Sequence, residues 1–254
     1  MLTVQNGPRA ERAVVSTAER LCMWSAFAIA GVMSAGFLIA GLVPPPSPSA
    51  TATEVVQFYF SDPGSMRVGI ALMSIGAIFI TTFGVSVASQ LRRIEGEASP
   101  MAWLQLAATA FIGAVTVLYL FVLLTLMFRS DRDPELVLLL SDFAWVPFIG
   151  MWQPGALQAI AVGAAVLGDR HTDRPGHFPR WVGWVSLWYA LTSLVGLFVP
   201  FVAGGALGWT GIVPFYLGAG TLFGWWVVIA VTMLRCTRID NASDKGDSCD
   251  QPVA

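Results

Sequence analysis

One carboxyl group, that of Asp142, lies within an otherwise apolar stretch of the sequence. Charge is expensive inside a membrane, so an intramembrane carboxyl is a functional candidate by default, here as a proton donor. Two geometries are open. Either residues 135–141 form a short surface helix and Asp142 caps the next span together with Ser141, or one long bent helix carries Asp142 about two turns from its start.

Two prolines, Pro147 and Pro154, follow Asp142 and should break the helix, because each removes a backbone donor. In membranes such breaks survive where other groups satisfy the backbone, often beside a cavity. Gln153 and Trp152 adjoin the second break, and Gln153 would share a helical face with Asp142. We therefore expect Gln153 and Trp152 to be candidate ligand-binding residues.

Two further acids lie in the segment between the first and second apolar runs. Thr51 and Glu54 have the spacing of a capping box, which predicts a short external helix over about 52–60. Asp62 and the following Pro63 end this helix and start the second span. Glu54 and Asp62 are therefore candidate site residues near Asp142, and the short helix would lie on the membrane surface or over the bundle mouth.

The acids at 131, 133 and 135 resemble a cation site at first sight. However, Asp133, Pro134 and Glu135 also have the order of a helix start, with a capping acid, a proline and an acid in the first turn. The capping interpretation is preferred, since it accounts for these acids without a ligand.

No metal or cofactor site is predicted elsewhere. His171 and His177 lie in a loop that lacks an HExxH pattern and is expected to be solvated, and the three cysteines lack metal-ligand spacing. Gln105 and Gln158 are expected to pair between two spans as interhelical hydrogen-bonding groups.

The composition shows what kind of scaffold must position these groups. Of the 254 residues 56% are apolar and only 12% are charged, about half the charged share of soluble proteins. The net charge of −2, with no basic stripe, argues against a nucleic-acid partner. The uncharged runs are long enough for helices that cross a bilayer. They predict an all-α bundle with six spans at about 21–43, 67–91, 101–128, 143–168, 181–203 and 211–235.

Arginine and lysine set the orientation. Most of them lie before the first span, after the second and fourth spans, and in the tail, which predicts that both termini are cytoplasmic. Residues 1–20 would form a cytoplasmic segment, 21–236 the membrane domain and 237–254 a disordered tail.

Several strings are similar, as a set, to a group of six-span membrane proteins from actinobacteria that carry no assigned activity. These strings are Met66-Arg-Val-Gly-Ile-Ala-Leu-Met, Gln90-Leu-Arg-Arg-Ile-Glu-Gly, Asp131-Arg-Asp-Pro-Glu, Ser141-Asp-Phe-Ala-Trp and Phe178-Pro-Arg-Trp-Val-Gly. The resemblance implies a bacterial plasma membrane and transfers no site residue.

Three functions remain open. The leading hypothesis is a non-catalytic plasma-membrane protein that binds membrane lipid, an apolar small molecule or another membrane protein, without a cofactor. The second is an enzyme that acts on a lipid or an isoprenoid with Asp142 as proton donor. The third is a small transporter, which charge-free spans disfavour.

Overall fold

The computed structural model describes the backbone of residues 17–170, 177–202 and 204–249, and the side chains of these residues except 17–18 and 238–249. No strand occurs in these ranges, which agrees with the predicted all-α class. Six segments are long and apolar enough to cross a membrane, as predicted. They are Glu19–Ile39, Pro63–Glu95, Pro100–Phe128, Pro134–Gly168, Arg180–Phe201 and Gly205–Thr237. His171, residues 1–16 and 250–254, and the side chain of Cys249 lie outside the described residues.

The six spans are arranged in chain order around a closed bundle. Each span packs against the next, and α9 (Gly218–Cys249) packs against α1 (Thr17–Ala28) to close it. Because short connections join them, consecutive spans run antiparallel. The connections at 40–62, at 129–133 and between the fifth and sixth spans therefore lie at one end of the bundle, called here the α3 end, and the other connections lie at the opposite end.

The first span consists of α1, a π-helical segment Ile29–Met33, and α2 (Ser34–Ile39). It crosses the second span, α4 (Pro63–Glu95), where two glycines meet. A Cβ at Gly36 would lie 2.8 Å from the Gly69 carbonyl oxygen, and one at Gly69 would lie 2.5 Å from that of Gly36. Only residues without a side chain permit this backbone contact, as at small-residue crossings in membranes.

The short helix α3 (Ala52–Phe60) begins with the capping box that its sequence predicts. Glu54 N donates to Thr51 Oγ1 and Thr51 N donates to the Glu54 carboxylate. Tyr59 anchors the helix to the bundle, since its side chain is fully buried and α3 packs against the fourth span. The preceding connection is also fixed, because Trp209 Nε1 donates to the Pro46 carbonyl oxygen at 2.9 Å.

The third span is α5 (Pro100–Phe128), and the fourth consists of α6 (Pro134–Gly150) and α7 (Gln153–Gly168), separated at residues 151–152. Asp133 caps α6 by accepting a 2.8 Å hydrogen bond from Glu135 N. The fourth span therefore starts at Pro134 rather than near residue 143. The hypothesis that Asp142 caps it is wrong, because α6 continues unbroken through Ser141 and Asp142.

The last two spans also depart from regular α-helix. The fifth passes from α8 (Arg180–Ser193) into a 3₁₀ segment, Leu194–Phe201. The sixth has a 3₁₀ turn, Gly205–Leu207, a π-helical segment, Ile212–Leu217, and then α9. The α9 backbone is helical to Cys249. The disordered tail over 237–254 stays a prediction.

Candidate functional site

The bundle encloses a cavity of about 340 Å³ between its middle and the α3 end. This volume falls within the range of roughly 300–1,000 Å³ that is typical of ligand pockets. Every span contributes to its wall. The lining residues are Met33, Ser34, Phe37, Leu38, Val43, Ile80, Ile112, Val115, Thr116, Phe148, Ile149, Met151, Trp152, Gly155, Tyr189, Phe215, Tyr216, Ala219, Gly220, Leu222, Phe223 and Trp226.

Three interruptions of regular helix border this cavity. The π-helical segment of the first span contributes Met33, the break in the fourth span contributes Met151 and Trp152, and the π-helical segment of the sixth contributes Phe215 and Tyr216. Within a membrane, irregular backbone is tolerated where it is buried in protein or lines a cavity, and π-bulges are frequent at functional sites. The sequence predicted the break beside Trp152 but carried no recognisable signal for the two π-helical segments.

Stacked aromatic rings form and support the wall of the cavity toward the α3 end, where Phe37, Phe148 and Phe215 line it. The Phe148 ring stacks on Tyr119 with centroids 4.0 Å apart, and Phe37 lies 6.1 Å from Phe148 and 6.2 Å from Tyr119. Trp145 contacts Tyr119 edge to face at 5.2 Å and Phe215 at 6.2 Å. Offset and edge-to-face pairs at these distances stabilise each other beyond their burial, so this wall is well defined in shape.

Two polar groups of the lining bond to their own helices, whereas Trp226 Nε1 is buried without a hydrogen-bond partner. Thr116 Oγ1 donates to the Ile112 carbonyl oxygen at 2.9 Å, and Trp152 Nε1 donates to that of Phe148 at 2.6 Å. None of the lining residues carries a charge. A molecule held here would therefore be recognised chiefly by its apolar surface and shape, with the Trp226 N–H as the one indole donor left unpaired.

Part of the lining is exposed on the outside of the bundle, between the first and sixth spans. Leu38 is 66% exposed and Tyr216 is 47% exposed, although both line the cavity. The two spans are held together nearer the opposite end, where α1 packs against α9, whereas α2 makes little contact with α9. The cavity therefore opens sideways, toward the region that lipid occupies around a membrane bundle.

Of the residues proposed from the sequence, Trp152 lines the cavity. Gln153 does not, since its Nε2 donates to the Gly150 carbonyl oxygen at 2.6 Å and satisfies the end of α6. The break at residues 151–152 also separates Gln153 from the helix that carries Asp142. The continuous polar face expected between these two residues is thus interrupted.

Glu54 and Asp62 are exposed and act as helix caps, away from the cavity. Hydrogen bonds from the Thr51 backbone and hydroxyl hold the pKa of Glu54 below its ordinary value of 4.5. Hydrogen bonds from the Ser65 side chain and backbone likewise hold the pKa of Asp62 below 3.8. Both groups are therefore stabilised as carboxylates by local capping.

Asp142 is partly buried in α6 but does not line the cavity. The neighbouring Ser141 belongs to a buried cluster that sequence analysis missed. Tyr59 OH lies 3.2 Å from Ser141 Oγ and accepts a 2.9 Å hydrogen bond from Trp145 Nε1. Burial raises the pKa of Tyr59 from its ordinary value of 10.0 to about 12, and the charge of Asp142 acts in the same direction. Asp142 thus lies near the contact that fastens α3 to the bundle.

A second polar cluster joins the third and fourth spans. Gln105 Nε2 and Gln158 Nε2 both donate to Thr109 Oγ1, at 3.0 Å and 2.7 Å, and that hydroxyl donates to the Gln105 carbonyl oxygen. The predicted pairing of the two glutamines thus occurs through Thr109. The side-chain oxygens of both glutamines are buried without a hydrogen-bond partner.

Near the opposite end, His177 Nδ1 lies 2.6 Å from Asp169 Oδ2, and Asp169 is 9% exposed. Cys236 Sγ donates to the His177 carbonyl oxygen at 3.3 Å. The expectation of a solvated loop is therefore wrong for His177, because the chain brings Asp169 back to it across the loop. In the part of the chain that the structure describes, no three His, Cys, Asp or Glu side chains are grouped to hold a metal ion.

The chain matches no family model, no curated protein and no solved structure.

Proposed function

We propose that this multi-pass membrane protein binds an apolar molecule from the bilayer in its internal cavity, without a catalytic step. One observation carries the proposal, namely that the irregular segments of three different spans border the same uncharged cavity. Helix interruptions reduce the stability of a span, and their convergence on one cavity favours a binding role for it.

The orientation and the membrane belong to this proposal. Arg92, Arg93, Arg170 and Arg235 lie at the opposite end, whereas Arg67, Arg129 and Arg132 lie at the α3 end. Together with the basic residues outside the described ranges, this bias favours cytoplasmic termini in a bacterial plasma membrane. The cavity would then open in the outer half of the bilayer.

Cysteine labelling tests the orientation in intact cells. In a cysteine-free background, Gln57→Cys on α3 and Glu97→Cys in the loop before α5 place thiols at exposed positions of opposite ends. A membrane-impermeant maleimide should label Gln57→Cys directly and Glu97→Cys only after permeabilisation. The reverse pattern would contradict the proposed orientation.

Native mass spectrometry tests the binding role. The protein is extracted with its surrounding lipid in native nanodiscs, and bound molecules are identified. We expect an apolar small molecule in a fixed ratio to the protein. Ala219→Phe should displace it, because Ala219 lines the cavity, whereas Ala114→Phe on an exposed face of α5 should retain it. The proposal would be contradicted if Ala219→Phe retained the bound molecule in the same ratio as the wild type. It would also be contradicted if a second polypeptide co-purified and no small molecule did.

A further inference from the structure

We infer that the cavity takes a neutral, flat, unsaturated molecule, with rings or conjugated double bonds, which reaches it sideways through a portal at Gly220. The portal is the exposed gap between Leu38 of the first span and Tyr216 and Gly220 of the sixth. This inference rests on the proposed binding function and names both the class of molecule and its route.

The aromatic content of the wall indicates the class. More than a third of the residues that line the cavity are aromatic, against 12% of the whole chain. Aromatic faces and edges attract one another specifically at ring-to-ring distances, which a saturated chain cannot reproduce. A wall of aliphatic residues would serve a saturated chain equally well, so the rings favour a partner with π-electrons of its own.

The charge distribution excludes an ionised group from the cavity. No lining residue is charged, and the hydroxyl of Thr116 and the indole N–H of Trp152 are bonded within their own helices. The indole N–H of Trp226 is buried without a partner, and this neutral donor does not compensate an ionised group. A buried carboxylate or phosphate without a counterion is strongly disfavoured. The molecule that fits is therefore neutral along the part that enters the bundle.

The portal depends on the absence of a side chain at Gly220. This residue lines the cavity and is exposed, and a Cβ built on it would meet nothing within 4 Å. It therefore leaves open space between the cavity and the outside of the bundle, beside Leu38. A large side chain at residue 220 would project into this space without displacing the protein core.

Gly224 provides a matched control on the same helix. It is also exposed with nothing within 4 Å of its added Cβ, but it does not line the cavity. Gly220→Leu and Gly224→Leu therefore make the same chemical change one helical turn apart. Leu38→Trp narrows the portal from the first span and replaces Gly220→Leu as the test if that variant does not fold.

The experiment measures the affinity and the association rate of all-trans-retinol, a neutral polyene, with the full chain in nanodiscs. Energy transfer from protein tryptophans, including Trp152 and Trp226 of the lining, reports the bound probe. We expect saturable binding to the wild type and to Gly224→Leu. Gly220→Leu should slow the association of retinol by about tenfold or more, because a side chain in the portal obstructs entry. Ionised retinoate and the saturated hydrocarbon phytane should displace retinol poorly.

Each contrary result has a separate meaning. Equal displacement by phytane would overturn the unsaturated class, and equal displacement by retinoate would overturn neutrality, while the proposed binding function would stand. Equal association rates of retinol with the two leucine variants would overturn the portal. Absence of saturable binding by both retinol and phytane would overturn the proposed function itself.

Discussion

The indole ring of Trp152 lies directly on the backbone of Gly218. A Cβ added to Gly218 would overlap the ring carbons of Trp152, so only glycine fits at this position. Trp152 belongs to the break between α6 and α7, and Gly218 is the first residue of α9, just after the π-helical segment. The contact therefore joins the interruptions of the fourth and sixth spans and fixes one side of the cavity.

Gly218→Ala should destabilise the protein and distort the cavity. The added methyl group must displace Trp152 from its 2.6 Å hydrogen bond to Phe148, and overpacking of this kind costs about 1–3 kcal/mol. Unfolding in mixed detergent micelles measures the change. Gly224→Ala, which adds the same methyl group to open space on α9, is the control. Equal stabilities for the two variants would show that the Trp152 contact is not tight.

The sequence predicted the spans well because each is a long run without charge, and the thickness of the bilayer fixes the length that such a run must have. It was less successful inside the spans. Asp142 could be assigned to a cap or to a helix interior, and the unbroken course of α6 from Pro134 to Gly150 places it in the interior. Local capping patterns do not show which of two possible helix starts is used, because that depends on how the whole helix packs in the bundle.

The cavity could not be predicted from the sequence, apart from Trp152. Its walls combine residues such as Phe37, Tyr189 and Phe215, which are distant along the chain and belong to apolar runs without a distinguishing pattern. Hydrophobic residues are equally suited to packing and to lining a cavity. The difference arises where irregular backbone leaves space between helices, and these π-helical segments have no clear sequence signature.

Tyr59→Phe should loosen the short helix α3. The substitution removes the acceptor of the Trp145 indole N–H and leaves that donor buried without a partner, which costs about 1–3 kcal/mol. Hydrogen exchange of residues 52–60, measured by mass spectrometry, should become faster. Phe58→Leu on the same helix retains the hydroxyl of Tyr59 and serves as the control. Unchanged exchange in Tyr59→Phe would show that apolar packing alone holds α3.

Tyr59 should also make stability fall at high pH. Burial raises the pKa of Tyr59 to about 12 in the folded protein, against 10.0 ordinarily. The folded state therefore keeps the proton that the unfolded state loses between about pH 10 and 12, and stability decreases across this window. The loss should be about 2–3 kcal/mol greater in the wild type than in Tyr59→Phe. If the stability of the two proteins fell equally between about pH 10 and 12, Tyr59 would not be the group responsible for the loss.

Thr109→Val should destabilise the bundle more than Gln158→Leu. The Thr109 hydroxyl accepts hydrogen bonds from the amide groups of both Gln105 and Gln158, so its removal leaves two buried donors without a partner, at about 1–2 kcal/mol. Gln158→Leu instead removes one donor together with its unpartnered oxygen. Unfolding in mixed micelles ranks the two variants. A larger loss for Gln158→Leu would show that its oxygen has a partner in the membrane.

Asp142→Asn separates binding from proton donation. Asp142 does not line the cavity, so the neutral amide, which is similar in shape, should leave the affinity for retinol unchanged within about twofold, a small free-energy difference. Retinol binding in nanodiscs and the composition of co-purified lipid extracts are compared between the two proteins, with Ala219→Phe as the control that should lose the bound molecule. If Asp142→Asn folds with unchanged stability but accumulates a different lipid from the wild type, the carboxyl group takes part in a chemical step. That result would replace the binding role with the enzyme hypothesis, whereas identical lipid profiles and affinities would exclude Asp142 as a proton donor.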